Sequence, residues 1–274
     1  MNLRTLLSLA GGACLSVTAW AADRTPQPLW EAGIGAGGVS TPAYPGAHTQ
    51  SNRALVLPFL IYRGEVLRSD QSGIGARLLH SDTTEFDVGF AASLPAHSKD
   101  VDARRGMPDL GTLIEFGPRL KVKVAEFDPD RRLRFELPVR AVIEVKSGLR
   151  RQGWTTEPRL VYEVRDGRVW TWDAQLGAVV GDERINRYFY EVAPQFATPT
   201  RPAYHAKSGL MLVRTGLFAY RKLNPDWRFF GFVRYESYAG AANDNSPLMR
   251  KANGASAGFG FAWTLARSRE LAHD

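Results

Sequence analysis

Charged side chains alternate with apolar ones along several stretches of this chain, most regularly between Arg132 and Lys146. In those fifteen residues every odd position is apolar, and the even positions carry arginine, glutamate and lysine together with one proline and one valine. A period of two places the charges on one face of an extended strand. When neighbouring strands present the same face, side chains of opposite sign can form cross-strand ion pairs.

The alternation predicts one charged surface to which many strands contribute. Its expected members are Glu115, Arg119, Lys121, Arg132, Arg134, Glu136, Arg140, Glu144, Glu157, Arg159, Glu163, Arg165, Asp173, Arg228, Arg234 and Glu236. Both signs of charge occur on neighbouring strands, which argues against the single-sign rings of an ion-selective pore. We therefore expect these residues to cross-link a mostly closed interior, and an open polar channel is the alternative.

Residues suited to catalysis or metal binding are few. The five histidines are His48, His80, His97, His205 and His273. No two of them have the spacing of metal ligands. His205 has Asp182, Glu183 and Glu191 near it in sequence, and a histidine–carboxylate pair could act in acid–base catalysis, but a loop histidine is more commonly solvated. The sequence predicts no catalytic, cofactor-binding or metal site, and a protein that is not an enzyme.

The first residues predict export. Arg4 provides a basic start, Leu6–Val17 is largely apolar, and Ala19-Trp20-Ala21 has the small-x-small form of a cleavage site. This pattern is typical of a secretory signal peptide cut after Ala21. A lipoprotein with Cys14 as its lipidated residue is the alternative.

Composition narrows the function classes further. The single cysteine falls within the predicted signal peptide, so ordinary cleavage excludes disulfides and thiolate metal sites from the mature chain. The net charge is +7, but no block of five or more consecutive lysines and arginines occurs. Dispersed charge of this kind does not indicate nucleic-acid binding.

Long two-faced strands recur through the rest of the chain. Fifteen alternating residues exceed the usual strand of about five or six and suit a tilted strand that crosses a bilayer, which needs about 9–11 residues. No stretch of the mature chain shows a convincing helical period. We expect twelve strands near residues 29–39, 53–62, 65–70, 74–80, 84–93, 110–124, 132–146, 154–165, 168–180, 208–223, 227–239 and 255–265. Ten strands are the alternative if the two short ones form one irregular element.

Connections of two kinds interleave between these strands. Tight turns are expected at residues 63–64, 127–130, 166–167 and 224–226, and long polar loops at 40–52, 94–108, 181–207 and 240–254. Alternation of short and long connections is typical of outer-membrane barrels, whose short turns face the periplasm. An aromatic girdle on the short-turn side would consist of Trp30, Trp170, Trp172, Trp227 and Trp263.

These observations predict an all-β protein with a single antiparallel transmembrane β-barrel. The expected divisions are a signal peptide (1–21), an N-terminal periplasmic segment (22–28), the barrel (29–265) and a C-terminal tail (266–274). A periplasmic calycin-like barrel with its apolar faces turned inward is the alternative. Four prolines within the expected strands, Pro58, Pro118, Pro138 and Pro158, should mark bulges or local breaks, because proline cannot donate to a β-ladder.

Three short motifs and their order resemble one protein family. They are Tyr44-Pro45-Gly46 after the first strand, Arg105-Gly106-Met107-Pro108-Asp109-Leu110-Gly111 before a long strand, and Asn245-Ser246-Pro247-Leu248 in the last loop. With the Gly/aromatic strand that follows, they resemble the MipA/OmpV family of MltA-interacting outer-membrane proteins. The likeness covers about residues 28–265. One departure is that Leu265 stands where such barrels usually end on an aromatic residue, and nine residues follow it.

The resemblance implies a Gram-negative outer-membrane location and a structural role without catalytic residues. It implies a scaffold that holds a lytic transglycosylase and a penicillin-binding protein in a murein-synthesising complex. The partner site would then involve residues 22–29, the short turns and the 266–274 tail. Membrane lipid is the other expected partner, nucleic acid is not one, and the sequence leaves the oligomeric state open. A small-solute channel and a surface-loop adhesin are the alternative functions.

Overall fold

The computed structural model describes residues 27–64, 67–70, 73–146, 148–165 and 170–272. The predicted signal peptide, most of the 22–28 segment, the Asp166-Gly167 turn and His273 lie outside these residues. Within them the chain forms thirteen strands: β1 Trp30–Pro42, β2 Gln50–Tyr62, β3 Leu67–Asp70, β4 Gly73–His80, β5 Thr84–Ser93, β6 Thr112–Asp128, β7 Arg131–Val145, β8 Leu149–Thr156, β9 Arg159–Arg165, β10 Thr171–Gly181, β11 Gly209–Lys222, β12 Trp227–Ser237 and β13 Asn253–Arg267. One helix, α1, spans Glu183–Tyr190.

The strands form one antiparallel sheet in which chain neighbours pair with each other. The order of hydrogen-bonded neighbours across the sheet, which we call the path, is β2, β1, β13, β12, β11, β10, β8, β7, β6, β5, β4 and β3. Both β8 and β9 pair with β7 and with β10, so the two segments share one position and the sheet has twelve positions. The two ends of the path, β2 and β3, contact each other. The predicted all-β barrel of about twelve strands is confirmed, and the ten-strand alternative is wrong.

One expected strand is divided in two. The strand predicted at 154–165 begins earlier, at Leu149, and is interrupted at Glu157 and Pro158. The break confirms the prediction for Pro158, since proline offers no N–H to the ladder.

The other prolines differ in their effect. The ladder between β6 and β7 skips from the Phe116–Ala141 pair to the Arg119–Pro138 pair, which is the expected interruption beside Pro118 and Pro138. For Pro58 the prediction is wrong, because it pairs with Ile34 in unbroken register. Its strand, β2, is at an end of the path and pairs only with β1. A proline there breaks no hydrogen bond of the ladder if its nitrogen faces away from β1.

Helix α1 was not expected from the sequence. Asp182 caps it by accepting a hydrogen bond of 3.0 Å from the backbone N–H of Ile185, as an N-cap aspartate does. Its apolar residues Ile185, Tyr188 and Phe189 are three and four positions apart, a helical spacing too short to be prominent in a polar loop. In the described part of the chain, no helix combines the length and apolar character needed to cross a bilayer.

The strands turn their charged faces inward and their apolar faces outward. On β7, Glu136 and Val142 are each 1% exposed, whereas Val139 is 40% and Val145 37% exposed. Large exposed apolar side chains also occur on other strands: Leu60, Leu160, Leu176, Leu217, Val233 and Phe259. A soluble barrel has the opposite arrangement, so the calycin-like alternative is wrong. The two end strands of the sheet contact each other, and an apolar exterior on such a barrel is stable in lipid.

Candidate functional site

Several of the predicted interior charges form an ion-pair network on β7 and β9, in the half of the barrel nearer the short turns. Glu163 pairs with Arg132 at 2.7 Å and with Arg134 at 3.0 Å. Glu136 pairs with Arg134 at 3.1 Å and with Arg159 at 2.6 Å. These contacts join β7 to β9, so the alternation of single strands produces cross-strand pairing as the sequence predicts.

A second group of ion pairs joins β5 to β6. Arg119 donates to both carboxylate oxygens of Asp87, at 2.9 and 2.6 Å. Lys121 pairs with Asp87 at 2.9 Å and with Glu85 at 2.8 Å. Arg119, Asp87 and Lys121 are buried. Asp87 and Glu85 were not among the expected members, although their alternation with Phe86 and Val88 is the same signal.

In the half of the barrel nearer the long loops, some of the ion pairs are more widely spaced. Arg214 donates to Glu236 at 2.8 and 3.0 Å and to Glu157 at 3.1 Å. Arg140 is 3.7 Å from Glu115 and 3.9 Å from Glu157. Arg214 was missed by the sequence analysis because Val213, Thr215 and Leu217 around it did not stand out as an alternating run.

The remaining residues of the predicted charged surface lie outside these groups of ion pairs. At the short-turn end Arg228 pairs with Glu31, which also pairs with Arg63 at 2.5 Å. Arg165 pairs with Glu163. Among the described residues, Arg234 and Asp173 form no ion pair. Both line a cavity of about 490 Å³ in the barrel interior.

Glu144 belongs to a different structure, a cap over the long-loop end of the barrel. We use "the cap" for residues 43–49, 94–111, 182–208 and 238–252. The cap has its own apolar core, in two clusters that include Ile185, Tyr190, Tyr238, Tyr44, Val192 and Leu248. The loops that carried the surface-binding alternative are therefore packed against one another. The sequence predicted long polar loops in these regions, and it did not predict that their side chains pack into a common core.

The three motifs that carry the family resemblance meet inside this cap. The Tyr44 hydroxyl donates to the Leu248 carbonyl at 2.6 Å, and the Ser246 hydroxyl donates to the Tyr190 carbonyl at 2.7 Å. Arg104, directly before the second motif, donates to the Phe189 carbonyl at 3.1 Å. Its guanidinium carbon lies 5.7 Å from the centre of the Tyr44 ring.

The cap is joined to the barrel through Glu144. The Tyr188 hydroxyl and the Gly111 N–H donate to its Oε1, each at 2.9 Å, and Gln152 donates to Oε2 at 2.8 Å. Ile185 of α1 packs with Leu212 of β11 and other strand residues in the same apolar cluster. Helix α1 thus lies in the mouth of the barrel and covers it.

The histidine considered for acid–base chemistry lies on the outside of the cap. His205 is 3.3 Å from Glu191 and 3.7 Å from Glu183, while Asp182 caps α1. The His205 side chain is largely exposed, and no hydroxyl nucleophile bonds to it in the described residues. No metal-binding group of histidine, cysteine and carboxylate residues occurs in the same part of the chain.

The cap should lose stability in alkaline solution. Burial raises the pKa of the Tyr44 hydroxyl from 10 to about 12, so the folded state holds this proton more tightly than the unfolded state does. Its stabilisation is complete below pH 10 and is lost as the pH rises to 12, a change on the order of 2–3 kcal/mol. Thermal unfolding followed across this pH range should show the loss. Burial also raises the pKa values of Tyr188, Tyr190 and Tyr238 in the cap, so Tyr44→Phe should reduce the loss without abolishing it. An unchanged profile in Tyr44→Phe would contradict the assignment.

Glycine is required where the first motif turns. Gly46 has a φ of +85°, and a Cβ built on it would lie 2.0 Å from the Met249 sulfur, whereas Gly240 has a φ of +72° with nothing within 4 Å. Gly240→Ala should therefore cost only the left-handed backbone penalty of about 1 kcal/mol. Gly46→Ala adds a steric clash and should cost clearly more in thermal unfolding. Equal losses in the two variants would show that Met249 moves freely.

Aromatic side chains gather at the short-turn end. Trp227 and Trp263 pair across β12 and β13 and stack with ring centres 5.6 Å apart. Trp170 lies 6.1 Å from Phe229, and Trp172 lies 5.8 Å from Tyr162. Trp30 is opposite Tyr62 in the β1–β2 ladder. All five residues of the predicted girdle thus lie near this end, and their role at a membrane interface stays a prediction.

Residues 27–29 and 270–272 pair below the same rim. Pro28 and Leu271 form an isolated antiparallel bridge. The Leu29 N–H donates to the Glu270 carbonyl and the Ala272 N–H to the Gln27 carbonyl, both at 2.8 Å. Strand β13 continues to Arg267, two residues past the expected end of the barrel. The described part of the tail therefore extends the β1–β13 pairing.

The fold and the interior define the class of protein: an antiparallel twelve-position transmembrane β-barrel with an ion-paired interior and one capped end. The chain belongs to the family described as MltA-interacting protein MipA, whose family model matches residues 34–265. Its location is accordingly the outer membrane. No curated protein matches the chain.

Several solved outer-membrane proteins match the chain with little sequence identity. The NanC porin is 11% identical, with 85% of this chain and 100% of the porin covered and a TM-score of 0.43. The translocator domain of the autotransporter NalP from Neisseria meningitidis is 13% identical, with coverage of 86% and 88% and a TM-score of 0.39. Outer membrane phospholipase A from Escherichia coli is 10% identical, with coverage of 87% and 94% and a TM-score of 0.36.

Proposed function

We propose that this protein is a non-enzymatic outer-membrane docking protein for a murein-remodelling complex. The observation that carries the proposal is the cap, which covers one end of the barrel and packs α1 into its mouth. Ion pairs between neighbouring strands occupy much of the interior below it. A barrel arranged in this way has its accessible face at the short-turn rim, toward the periplasm.

The family description supports the identity of the first partner. It names an interaction with MltA, a lytic transglycosylase, and a penicillin-binding protein is the second partner that we propose on the family resemblance. The rim offers the bridge between Pro28 and Leu271 as a contact surface, and Leu271 is 49% exposed there. The tryptophans near the rim would lie at the level of the lipid headgroups.

Binding of a purified lytic transglycosylase to the folded barrel in detergent tests this proposal. Leu271→Asp should weaken binding about tenfold or more, because it places a charge within the contact surface. Leu149→Asp is the matched control, since Leu149 is also exposed but begins β8 at the opposite end. Failure of the unmodified barrel to bind, under conditions that preserve a known envelope complex, would reject the proposal.

The interior cavity supports a second candidate, a small-solute channel. Its volume of about 490 Å³ is in the range that holds a small organic molecule. Conduction would require the cap to open, and steady conductance by the intact barrel in a planar bilayer would favour this candidate over docking.

A further inference from the structure

Arg234 is a cation inside the barrel that has no counter-charge in contact among the residues that the structure describes. It is mostly inaccessible, and its Nε is buried without a hydrogen-bond partner. Within the described residues its one specific contact is the Phe232 ring, whose centre is 5.7 Å from the guanidinium carbon. A desolvated charge is costly unless it is paired, so this guanidinium is suited to receive an anion.

The carboxylates nearest to Arg234 are already engaged. Glu236 and Glu157 act on it electrostatically, but Arg214 donates to both of them. Glu236 also accepts a hydrogen bond of 2.8 Å from the Tyr238 hydroxyl. Asp173, which lines the same cavity, forms no ion pair with Arg234.

A row of four residues in register surrounds the space beside Arg234. Gln175, Gly216, Arg234 and Ser256 pair successively across β10, β11, β12 and β13. The Gln175 side chain reaches over Gly216, because a Cβ built on Gly216 would lie only 3.3 Å from the Gln175 side-chain nitrogen. Two strand spacings separate Gln175 from Arg234, about 10 Å between their backbones. Both residues line the interior cavity of about 490 Å³, which has room for a small anionic group in contact with the amide and the guanidinium.

The adjoining row is aromatic. Phe218 and Phe232 are opposite each other on β11 and β12, and both line the cavity with Arg234 and Gln175. The site thus has a cation at one place and apolar ring faces beside it. Arg165, whose side chain is half exposed near the short turns, lines the same cavity, so the cavity extends toward the periplasmic end while the cap covers the other.

We infer that the barrel interior holds a binding site for a small organic carboxylate with an apolar body. The carboxylate pairs with Arg234 and accepts from Gln175 over Gly216, and the apolar body packs on Phe218 and Phe232. Arginine is the residue best suited to hold a carboxylate by two hydrogen bonds. The site does not depend on the docking function, and its ligand would enter from the periplasm.

Calorimetric titration of the folded barrel with benzoate tests the site, with benzamide as the uncharged analogue. We expect saturable binding of benzoate and no binding of benzamide. Arg234→Gln should weaken benzoate binding about tenfold or more, the loss expected for one charge-assisted pair. Arg250→Gln is the matched control, because it removes the same charge from the exposed surface of the cap.

A second variant guards against misfolding of Arg234→Gln. Gly216→Val keeps every charge but displaces the Gln175 amide that lies over Gly216, and it should also weaken benzoate binding. Heat-modifiable migration on a gel shows whether each variant is folded. The proposal is overturned if the folded unmodified barrel does not bind benzoate, or if a folded Arg234→Gln or Gly216→Val barrel binds it as the unmodified one does.

Discussion

Glu136→Gln is expected to lower the free energy of unfolding by about 3–5 kcal/mol, the cost of removing one partner from a buried ion pair. Glu136 is 1% exposed. It accepts hydrogen bonds from Arg159 at 2.6 and 3.0 Å and pairs with Arg134 at 3.1 Å. Among the described residues, the neutral amide would leave Arg159 with only Glu157, at 3.7 Å, and Arg134 with only Glu163, at 3.0 Å, as a counter-charge.

Urea unfolding in lipid vesicles, followed by heat-modifiable migration, measures this loss. Glu183→Gln is the matched control, since Glu183 is half exposed on the cap and pairs only with exposed side chains. Its loss should stay below about 1 kcal/mol. If the two variants lose the same small amount, water in the interior compensates the arginines and the network is not a structural element.

The second large effect is on conductance. Replacing residues 184–206 by a short glycine–serine linker is expected to convert a silent barrel into one that gives conductance steps in a planar bilayer. The replaced residues include Ile185 and Tyr190, which are 1% and 0% exposed in the core of the cap. They also include Tyr188, which bonds to Glu144 at the barrel mouth. Without them the mouth is uncovered and the interior cavity is open to solvent.

A change at the tip of the same loop serves as the control. Residues 198–200 are exposed and lie beyond the packed part of the cap, so their replacement by Gly-Ser-Gly should leave the barrel silent. Conductance by the unmodified barrel, or silence of a folded barrel that lacks residues 184–206, would show that the cap does not control access to the interior.

Local pattern was sufficient for most of the strands. The alternation from Arg132 to Lys146 predicts β7 to within a residue at each end, because a period of two over fifteen residues is typical of a β-strand and not of a helix. The same signal is weaker around Arg214, so that residue was missed. For α1 the signal is eight residues long within a loop, which is too short for a period of 3.6 to be recognised without its tertiary contacts.

The candidate site was likewise predictable from the sequence only in part. The expected charges on β7 and β9 do pair, since the two strands are neighbours in the sheet and the alternation places the charges of both on the same face. The role of Glu144 as an anchor for the cap was not predictable, because its partners Tyr188 and Gly111 are distant in sequence. The lack of a counter-charge at Arg234 was not predictable either, since it depends on Arg214 engaging both nearby carboxylates.

The sequence by itself determined an exported all-β chain, its long two-faced strands, the family and the residues available for ion pairs. These follow from local periodicity and short motifs. Only the tertiary structure decided that the long loops pack into a cap, that α1 covers the barrel mouth, and which arginines have partners. The physical reason is that each of these depends on contacts between residues far apart in sequence, and the pattern of a single strand contains no information about what faces it across the barrel.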